Sequence, residues 1–280
     1  MSAVRGKVAV VTGAGSGIGR ALAIALSARG ARLAVSDTND DALAETVEQV
    51  KAAGNAEIHS ARLDVSDRTA FKAYASSIAD RYGVVHQLYN NAGIAGFGPI
   101  IEADYADIDR VLAVNLWGVI HGTREFLPHL IASEDGHLVN ISSLNGYMGQ
   151  AELSIYAASK FAVRGFTESI RVEMIAAHHR VRVSVVHPGG VKTNISNAAL
   201  AEGARRGKVT ERETRRAEVY NEKLFKTSAA EAAKVIVDGV EAGRERILVG
   251  SDAKAVDLLV RLFPGLYPRI AAIWERHTFG

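Results

Sequence analysis

Short runs of apolar residues alternate along the chain with segments in which apolar side chains recur every three to four positions. The short runs cover residues 7–12, 32–36, 58–63, 84–89, 137–141, 181–186 and 247–249, and their length and composition are typical of buried strands. Between the first two runs, Ile18, Leu22 and Leu26 share one helix face. Strands that alternate with helices predict right-handed crossovers, and therefore a seven-stranded parallel sheet with helices on both faces. We expect one doubly wound α/β domain over residues 1–280.

Composition narrows the classes of protein that fit this pattern. The chain contains no cysteine, which excludes disulfides, a thiolate nucleophile and a Cys-ligated zinc site. Lys and Arg number 33 and Asp and Glu 31, so the overall charge does not favour nucleic acid. His178 and His179 stand outside any His-Glu-x-x-His pattern, and we expect no metal. The apolar stretch before the first glycines is too short for a signal-peptide core, and we expect a cytoplasmic protein.

The first predicted strand ends in a glycine-rich sequence that leads directly into a helical pattern. This sequence contains Gly13, Ser16, Gly17, Ile18 and Gly19. Glycines permit a tight turn and close backbone approach, and the free N–H groups at a helix start stabilise a pyrophosphate. The order of strand, glycine loop and helix is typical of the Rossmann dinucleotide-binding fold; a glycine-rich turn without a ligand is the simpler alternative. No Gly-Lys-Ser/Thr follows, so a nucleoside triphosphate loop is not supported.

Asp37 ends the second predicted strand, 18 residues after Gly19, where dinucleotide-binding folds place an acid that binds the ribose. A carboxylate at this position accepts hydrogen bonds from both ribose hydroxyls and repels a 2′-phosphate, and residues 38–40 supply no compensating cation. We therefore predict NAD as the cofactor, with NADP disfavoured. Arg20 and Arg32 are the two cations that could lean toward this site. The structural alternative is that Asp37 caps the next helix.

Later strands carry further candidates at their carboxyl ends. Asp64 and Val65 follow the third strand, and Asn91, Ala92 and Gly93 follow the fourth. Open α/β sheets bind ligands at this edge. We therefore expect Asp64 to accept a hydrogen bond from the adenine amino group and residues 91–93 to line the cofactor cleft. Each segment taken alone is also compatible with an ordinary turn.

Tyr156 and Lys160 stand four positions apart, and Ser143 lies 13 residues before the tyrosine. Positions i and i+4 share a helix face, so the phenol and the ammonium meet. A phenol titrates near pH ~10, and its use as a base near neutral pH needs about 4 kcal/mol. An ammonium at about 4 Å supplies roughly 1 to 4 kcal/mol, so the charge of oxidised nicotinamide has to contribute. Ser143 would hold the substrate oxygen; as an isolated pair, Tyr156 and Lys160 are also typical of a solvated helix surface.

Together these motifs resemble the full motif series of the short-chain dehydrogenase/reductase family. The series comprises residues 12–19, 91–93, Asn115, Ser143, Tyr156, Lys160, Pro188, Gly189 and Thr193, and the resemblance spans about residues 5–250. It implies hydride transfer between NAD and a secondary alcohol or ketone. It also implies a homodimer or homotetramer, in which the helices bearing Asn115 and Tyr156 pack against their copies.

The same resemblance implies a role for each residue of the site. Tyr156 is implied to be the general acid/base, and Lys160 to bind the nicotinamide ribose and lower the tyrosine pKa. Ser143, chosen over Ser142 by its spacing, is implied to polarise the carbonyl, and Asn115 to hold a water that links the lysine to solvent. The residues implied to lie beside the nicotinamide are Pro188, Gly189, Val191 and Thr193.

Three segments are expected to bound the substrate: residues 94–97, residues 144–153 and the residues after Thr193. Phe97, Tyr147, Met148 and Leu153 favour an apolar pocket, although each is equally compatible with ordinary core packing.

Residues 194–228 are expected to form a solvated helical lid with Ala217, Tyr220 and Leu224 on its inner face. Its basic positions are Arg205, Arg206, Lys208, Arg212, Arg215, Arg216, Lys223 and Lys226, interleaved with acids. A site for acidic or phosphate-bearing substrates such as acyl thioesters is the alternative.

The apolar tail, residues 255–280, is interrupted by charges and by Pro264 and Pro268, so we expect no membrane span. Packing on its own chain or on a partner subunit is favoured, and a role at a membrane surface stays open.

We therefore predict an NAD-dependent oxidoreductase that acts on an apolar secondary alcohol or ketone. An NADPH-dependent ketone reductase of the same family is one alternative, which Asp37 disfavours. A sensor or scaffold that binds NAD without turnover is the other, and the intact set of Ser143, Tyr156 and Lys160 argues against it.

Overall fold

Seven parallel strands form the central sheet, which confirms the predicted fold. The computed structural model describes residues 3–54, 57–205, 207 and 209–279. Its strands are β1 (Val8–Thr12), β2 (Arg32–Asp37), β3 (Ile58–Arg62), β4 (Gln87–Asn90), β5 (Gly136–Ile141), β6 (Val181–Pro188), β7 (Val191–Lys192), β8 (Thr227–Ser228) and β9 (Arg246–Val249). The sheet order is β3-β2-β1-β4-β5-β6-β9, with every neighbour parallel, and β7 and β8 form a separate pair.

Helices cover both faces of this sheet. They are α1 (Gly17–Ala28), α2 (Asp40–Ala53), α3 (Arg68–Tyr82), α4 (Tyr105–Leu112), α5 (Gly118–Ala132), α6 (Ser154–Ala176), α7 (Ile195–Arg205), α8 (Glu211–Val219), α9 (Ala229–Glu241), α10 (Ser251–Leu262) and α11 (Tyr267–Phe279). One core lies between the sheet and α1, α2 and α9, around Leu22, Leu26 and Ile236. The second lies under α3, α5 and α6, around Phe71 and Phe126.

The strand order reverses between β1 and β4, which fixes the position of the ligand cleft. From β1 the chain winds outward through β2 and β3, then returns to place β4 on the other side of β1. Loops that leave the carboxyl ends of two such neighbours diverge to opposite faces and open a crevice between them. The loops after β1 and β4 are therefore neighbours, although about 80 residues separate them along the chain.

Some element boundaries differ from those predicted. The fourth strand begins at Gln87 rather than at residue 84, whereas the sixth continues to Pro188. A π-helical turn, Ala113–Trp117, joins α4 to α5, and no local pattern in the sequence predicts it. Among the described residues, no helix is long and apolar enough to cross a bilayer. The same part of the chain contains no group of three or more His, Cys, Asp or Glu side chains placed to hold a metal ion.

Candidate active site

The glycine loop between β1 and α1 packs directly against the loop that follows β4. Gly13 and Gly17 have φ angles of 65° and 54°, which side-chain-bearing residues rarely adopt. A Cβ on Gly13 would lie 2.7 Å from the Cα of Ala92, and one on Gly19 would lie 2.0 Å from the carbonyl oxygen of Gly13. Ser16 is the N-cap of α1, and its side chain makes no capping hydrogen bond. The first N–H groups of α1 therefore suit the phosphates of a dinucleotide.

Thr12 and Asn91 hold these two loops together. The Thr12 hydroxyl accepts hydrogen bonds from the backbone N–H groups of Asn91 and Ala92, both at 3.1 Å. The Asn91 amide donates to the carbonyl oxygens of Thr12 and Gly13, at 2.9 and 3.1 Å. Asn91 and Thr12 therefore shape the glycine loop together, and Thr12 belongs to the motif over residues 12–19 without having been given a role there. Its position as the last residue of β1 was the available signal.

Asp37 points into the glycine loop. Its carboxylate accepts hydrogen bonds from the backbone N–H of Gly15 at 2.8 Å and from that of Asn39 at 3.0 Å. Each oxygen thus keeps lone-pair capacity for further donors such as ribose hydroxyls. Asp37 is not the cap of α2, because Asn39 occupies that position and accepts a hydrogen bond from the N–H of Ala42 at 3.0 Å.

The two cations considered as rivals to Asp37 both bind other groups. Arg20 donates to the carbonyl oxygen of Gly15 at 2.5 Å and to the Thr46 hydroxyl at 2.9 Å. Arg32 lies 2.9 Å from Glu57 and 4.9 Å from the centroid of the Tyr82 ring.

A third cation near Asp37 was missed in the sequence. Arg62 lies opposite Asp37 in the register of β2 and β3. Its guanidinium is exposed and lies 3.0 Å from the Asp40 carboxylate. A residue that is close only through strand pairing gives no local signal.

Asp64 is exposed at the carboxyl end of β3. Its Oδ1 accepts from the backbone N–H and the hydroxyl of Ser66, at 2.9 and 2.6 Å. Val65 next to it is buried, and a Cβ on Gly118 would lie 2.7 Å from its Cγ2. The side chain of Val65 therefore packs against α5, whereas that of Asp64 is accessible to a ligand.

Lys160 lies almost fully buried beneath the loop after β4. Its Nζ donates to the carbonyl oxygen of Ile141 at 3.1 Å and lies 5.8 Å from the centroid of the Tyr156 ring. A Cβ on Gly93 would come within 3.4 Å of the same Nζ. Burial lowers the pKa of the Lys160 ammonium to about 8 because desolvation disfavours the charged form.

Tyr156 and Ser143 adjoin each other at the start of α6 and the end of β5. Burial raises the pKa of the Tyr156 phenol, and hydrogen bonding with the Ser143 side chain opposes that rise. The Ser143 hydroxyl also accepts from the backbone N–H of Asn145 at 3.1 Å. Ser142 instead donates to the carbonyl oxygen of Lys160 at 2.8 Å, so its hydroxyl ties the strand end to α6.

His187 contacts the backbone of Ser143 and was not predicted from the sequence. Its Nδ1 lies 2.8 Å from the carbonyl oxygen of Ser143, and the Tyr147 ring packs edge-on at 5.0 Å. Burial lowers the pKa of His187 to about 4, so the ring is neutral near pH ~7. The Tyr147 hydroxyl donates to the carbonyl oxygen of Ala253 at 2.6 Å. Tyr147 is therefore a core residue rather than part of a substrate pocket.

Asn115 lies in the π-helical turn and is fully buried. Its Oδ1 accepts from the N–H of Ile94 at 2.8 Å, and its Nδ2 donates to the carbonyl oxygen of Ile94 at 2.9 Å and to the Ser159 hydroxyl at 3.2 Å. A π-turn shifts one residue out of helical phase, which aims this amide at the loop beside Lys160.

The segment after β6 reaches back to the glycine loop. A Cβ on Gly17 would lie 3.1 Å from the Thr193 side chain. Asp252 accepts from the N–H of Gly190 at 2.6 Å and holds the turn at Pro188 and Gly189. No local motif marks Asp252, so it was not selected from the sequence. The Val191 side chain is buried in the core, so only its backbone can face a ligand.

The predicted lid consists of α7, α8 and the following turn, and its inner face is aromatic. Phe97 stacks on Tyr220 with centroids 5.8 Å apart, and Phe225 and Phe279 lie 5.5 and 5.7 Å from the same ring. Ala217 and Tyr220 are buried as expected and Leu224 is partly buried.

Arg216 departs from the expectation of a solvated lid charge. Its side chain is only 2% exposed and lies 3.1 Å from Glu152 and 2.5 Å from Glu275. It thus joins the lid to the loop before α6 and to the tail helix α11. The helical phase offered a signal, since Arg216 precedes Tyr220 by one turn. The expected lid charges Arg206 and Lys208 lie outside the described residues.

Comparison with known proteins gives concordant matches. The family model described as short chain dehydrogenase matches residues 7–203. SadH of Mycobacterium tuberculosis, by its name an oxidoreductase, is 50% identical over 273 residues, covering 97% of this chain and 96% of SadH. A short-chain dehydrogenase/reductase from Burkholderia phymatum, solved in complex with NAD, superposes with a TM-score of 0.85 at 32% identity, covering 95% of this chain and 97% of that one. A metagenomic short-chain oxidoreductase in complex with NADP gives 0.70 at 31% identity, covering 89% and 98%.

Proposed function

The chain belongs to the short-chain dehydrogenase family of oxidoreductases, and we propose that it transfers hydride between NAD and an apolar secondary alcohol or ketone. The observation that carries this proposal is the convergence of Ser143, Tyr156 and Lys160 beside the loop that Asn91 ties to the glycine turn. A phenol, a hydroxyl and a buried ammonium then face a dinucleotide cleft, and a scaffold that only bound NAD would not need them.

The nicotinamide, when bound, supplies the hydride acceptor or donor, and its oxidised form adds a positive charge to the site. Tyr156 exchanges the substrate hydroxyl proton: as a phenolate it takes the proton during oxidation, and as a phenol it returns it during reduction. Ser143 donates a hydrogen bond to the substrate oxygen and orients it toward Tyr156. Lys160 binds the cofactor ribose, and its ammonium stabilises the phenolate.

The proposed preference for NAD rests on Asp37. Its carboxylate is already ordered by two backbone N–H groups, and a 2′-phosphate would bring a second negative charge against it. Arg20 and Arg32 are engaged with other partners. Arg62 is the observation that favours the NADP alternative, since it lies in register with Asp37, but its ion pair with Asp40 would have to be broken.

The proposed substrate is apolar because two of the segments expected to bound it, residues 94–97 and the lid, meet through aromatic side chains. Phe97 stacks on Tyr220, and Leu153 of the third expected segment is buried. Arg216, the buried cation among the described lid residues, pairs with Glu152 and Glu275 and is therefore not free for an acidic substrate.

We further propose that the protein is a cytoplasmic homodimer or homotetramer. Large apolar side chains are exposed on the outer faces of the π-turn and α6, namely Trp117, Phe161, Val172 and Ile175. A protein of this size rarely leaves such a patch in water.

The test is titration of the purified protein with NADH and with NADPH, followed by cofactor fluorescence, for the wild type and Asp37→Ala. We expect at least tenfold preference for NADH, which Asp37→Ala reduces. A wild-type preference for NADPH would refute the assignment of Asp37.

A second experiment tests the role of Tyr156. Tyr156→Phe should keep NADH binding and lose turnover on a panel of apolar secondary alcohols. Tight NADH binding with no turnover by the wild type would favour the alternative of a sensor.

A further inference from the structure

The C-terminal helices carry an apolar stripe that the described part of the chain leaves partly exposed. We call this stripe the tail face. Its members recur every three or four positions along α10, the turn after it and α11, and they are 39–61% exposed: Leu258, Leu262, Leu266, Ile270, Ile273 and Trp274. Such spacing places Leu258 and Leu262 on one side of α10, and Ile270, Ile273 and Trp274 on one side of α11, with Leu266 in the turn between the helices. The opposite side of α11 packs inward through Glu275 and Phe279, and the Trp274 ring lies edge-on to Phe279, with centroids 5.8 Å apart, at the border of the two sides.

The charges of the tail are sorted between these two sides. Lys254, Arg261, Arg269 and Arg276 are exposed, and their positions interleave with the apolar stripe. The acidic residues are engaged inward. Asp252 accepts from the N–H of Gly190 at 2.6 Å, Asp257 pairs with Arg246 at 2.5 Å, and Glu275 pairs with Arg216 at 2.5 Å. Arg261 also lies 3.8 Å from Asp257. The tail face is therefore apolar and cationic.

The combination of exposed apolar side chains and basic residues helps to decide what kind of partner the tail face fits. A second copy that met the tail face about a two-fold axis would present the same surface and bring two sets of basic residues together, which is unfavourable. An anionic bilayer offers both an apolar interior and negative headgroups. Trp side chains are enriched at this boundary, and helices that lie in it carry Lys and Arg on their polar face. The break at Pro264 and Gly265 leaves two short helices that can lie flat on a surface.

We propose that the tail face docks on the surface of a membrane that contains anionic lipids. This goes beyond the proposed reaction and does not depend on it. Docking of this kind combines burial of the apolar stripe at the headgroup boundary with attraction between the basic residues and the lipid charge. Each basic residue near such a surface contributes about fivefold in partitioning.

The experiment is flotation of the full-length protein with vesicles of phosphatidylcholine alone and with vesicles that also contain phosphatidylglycerol. We expect binding to the anionic vesicles that weakens with salt. Arg269→Glu should lower this binding by at least fivefold, whereas the matched control Arg180→Glu should not. Arg180 is exposed, and its nearest acid is Glu134 at 3.9 Å. Leu262→Ser combined with Ile273→Ser should remove binding, and unchanged NADH affinity would show that this variant is folded.

A second readout locates the contact. The chain has two tryptophans, so Trp117→Phe leaves Trp274 as the only emitter, and its emission should shift to shorter wavelength on anionic vesicles. Absence of binding to either vesicle, or equal effects of Arg269→Glu and Arg180→Glu, would overturn the proposal. A fall in oligomer mass in the double serine variant, without vesicle binding by the wild type, would assign the tail face to a second copy and also overturn it.

Discussion

Replacing Arg216 by Met should release the C-terminal helix from the lid. The Arg216 side chain is 2% exposed and lies between Glu152 and Glu275, with its guanidinium 4.2 Å from the Phe279 ring centroid. Methionine fills similar space without charge, so both carboxylates lose this partner. Removing one member of a buried ion pair costs about 3–5 kcal/mol.

The structure places the expected cost at the lower end of that range. Glu152 retains Arg212 as a partner, and Glu275 is partly exposed and can regain water. A loss of about 3 kcal/mol corresponds to roughly a hundredfold increase in the open population of α11. The aromatic contact between Tyr220 and Phe279 opens with it.

Hydrogen exchange of the amides in residues 267–279 measures this opening directly. We expect faster exchange there in Arg216→Met, with little change in the strands of the sheet. Arg215→Met is the matched control, because Arg215 immediately precedes Arg216 in α8 and its side chain is exposed. If both variants protected the tail equally well, the ion pairs would not be what holds α11, and the reasoning from burial would fail.

Three further predictions concern the cofactor cleft. Gly15→Ala should weaken NAD binding by about tenfold or more, because the new Cβ would lie 2.8 Å from the Asp37 carboxyl carbon. Gly165→Ala is the control: the space around Gly165 is open, so a cofactor titration should give the wild-type affinity. The affinity for NAD⁺ should rise with pH and binding should release a proton, since the cofactor's charge lowers a Tyr156 pKa that burial has raised. Calorimetry in buffers of different ionisation enthalpy measures the number of protons released, and a release by Tyr156→Phe equal to that of the wild type would contradict the role of Tyr156. Between pH 8 and 10.5 the unfolded chain holds a proton on Lys160 that the folded chain has lost. The free energy of unfolding, relative to that of Lys160→Met, should therefore increase with pH across that window. Denaturant unfolding measures it at each pH, and a constant difference between the two proteins would argue against a neutral buried lysine.

The sheet, its parallel order and the glycine loop are predictable because each leaves a local pattern. Strand composition and helical spacing can each be recognised within a single segment. Only the four residues of the glycine turn separate the end of β1 at Thr12 from the start of α1 at Gly17. Parallel topology then brings all the carboxyl ends to one edge. This is why Asp37, Asn91 and Ser143 could be grouped before any distance was known.

The supporting residues were missed because their partners are distant in the chain. His187 meets Ser143 across 44 positions, and Asp252 meets Gly190 across 62. Arg216 resembles its exposed neighbour Arg215 until the tail folds over it. In these cases burial, not residue type, determines the role, and burial of a polar group is set by tertiary packing.

The tail helix α11 connects the proposed site to the proposed membrane surface because its two faces have different partners. The inward face, through Glu275 and Phe279, packs against Arg216 and Tyr220 of the lid, and Tyr220 stacks on Phe97 at the proposed substrate pocket. The outward face is the tail face. A surface that binds α11 only in its docked position stabilises that position by its own binding free energy. Membrane attachment would therefore hold the aromatic contacts among Phe279, Tyr220 and Phe97 in place.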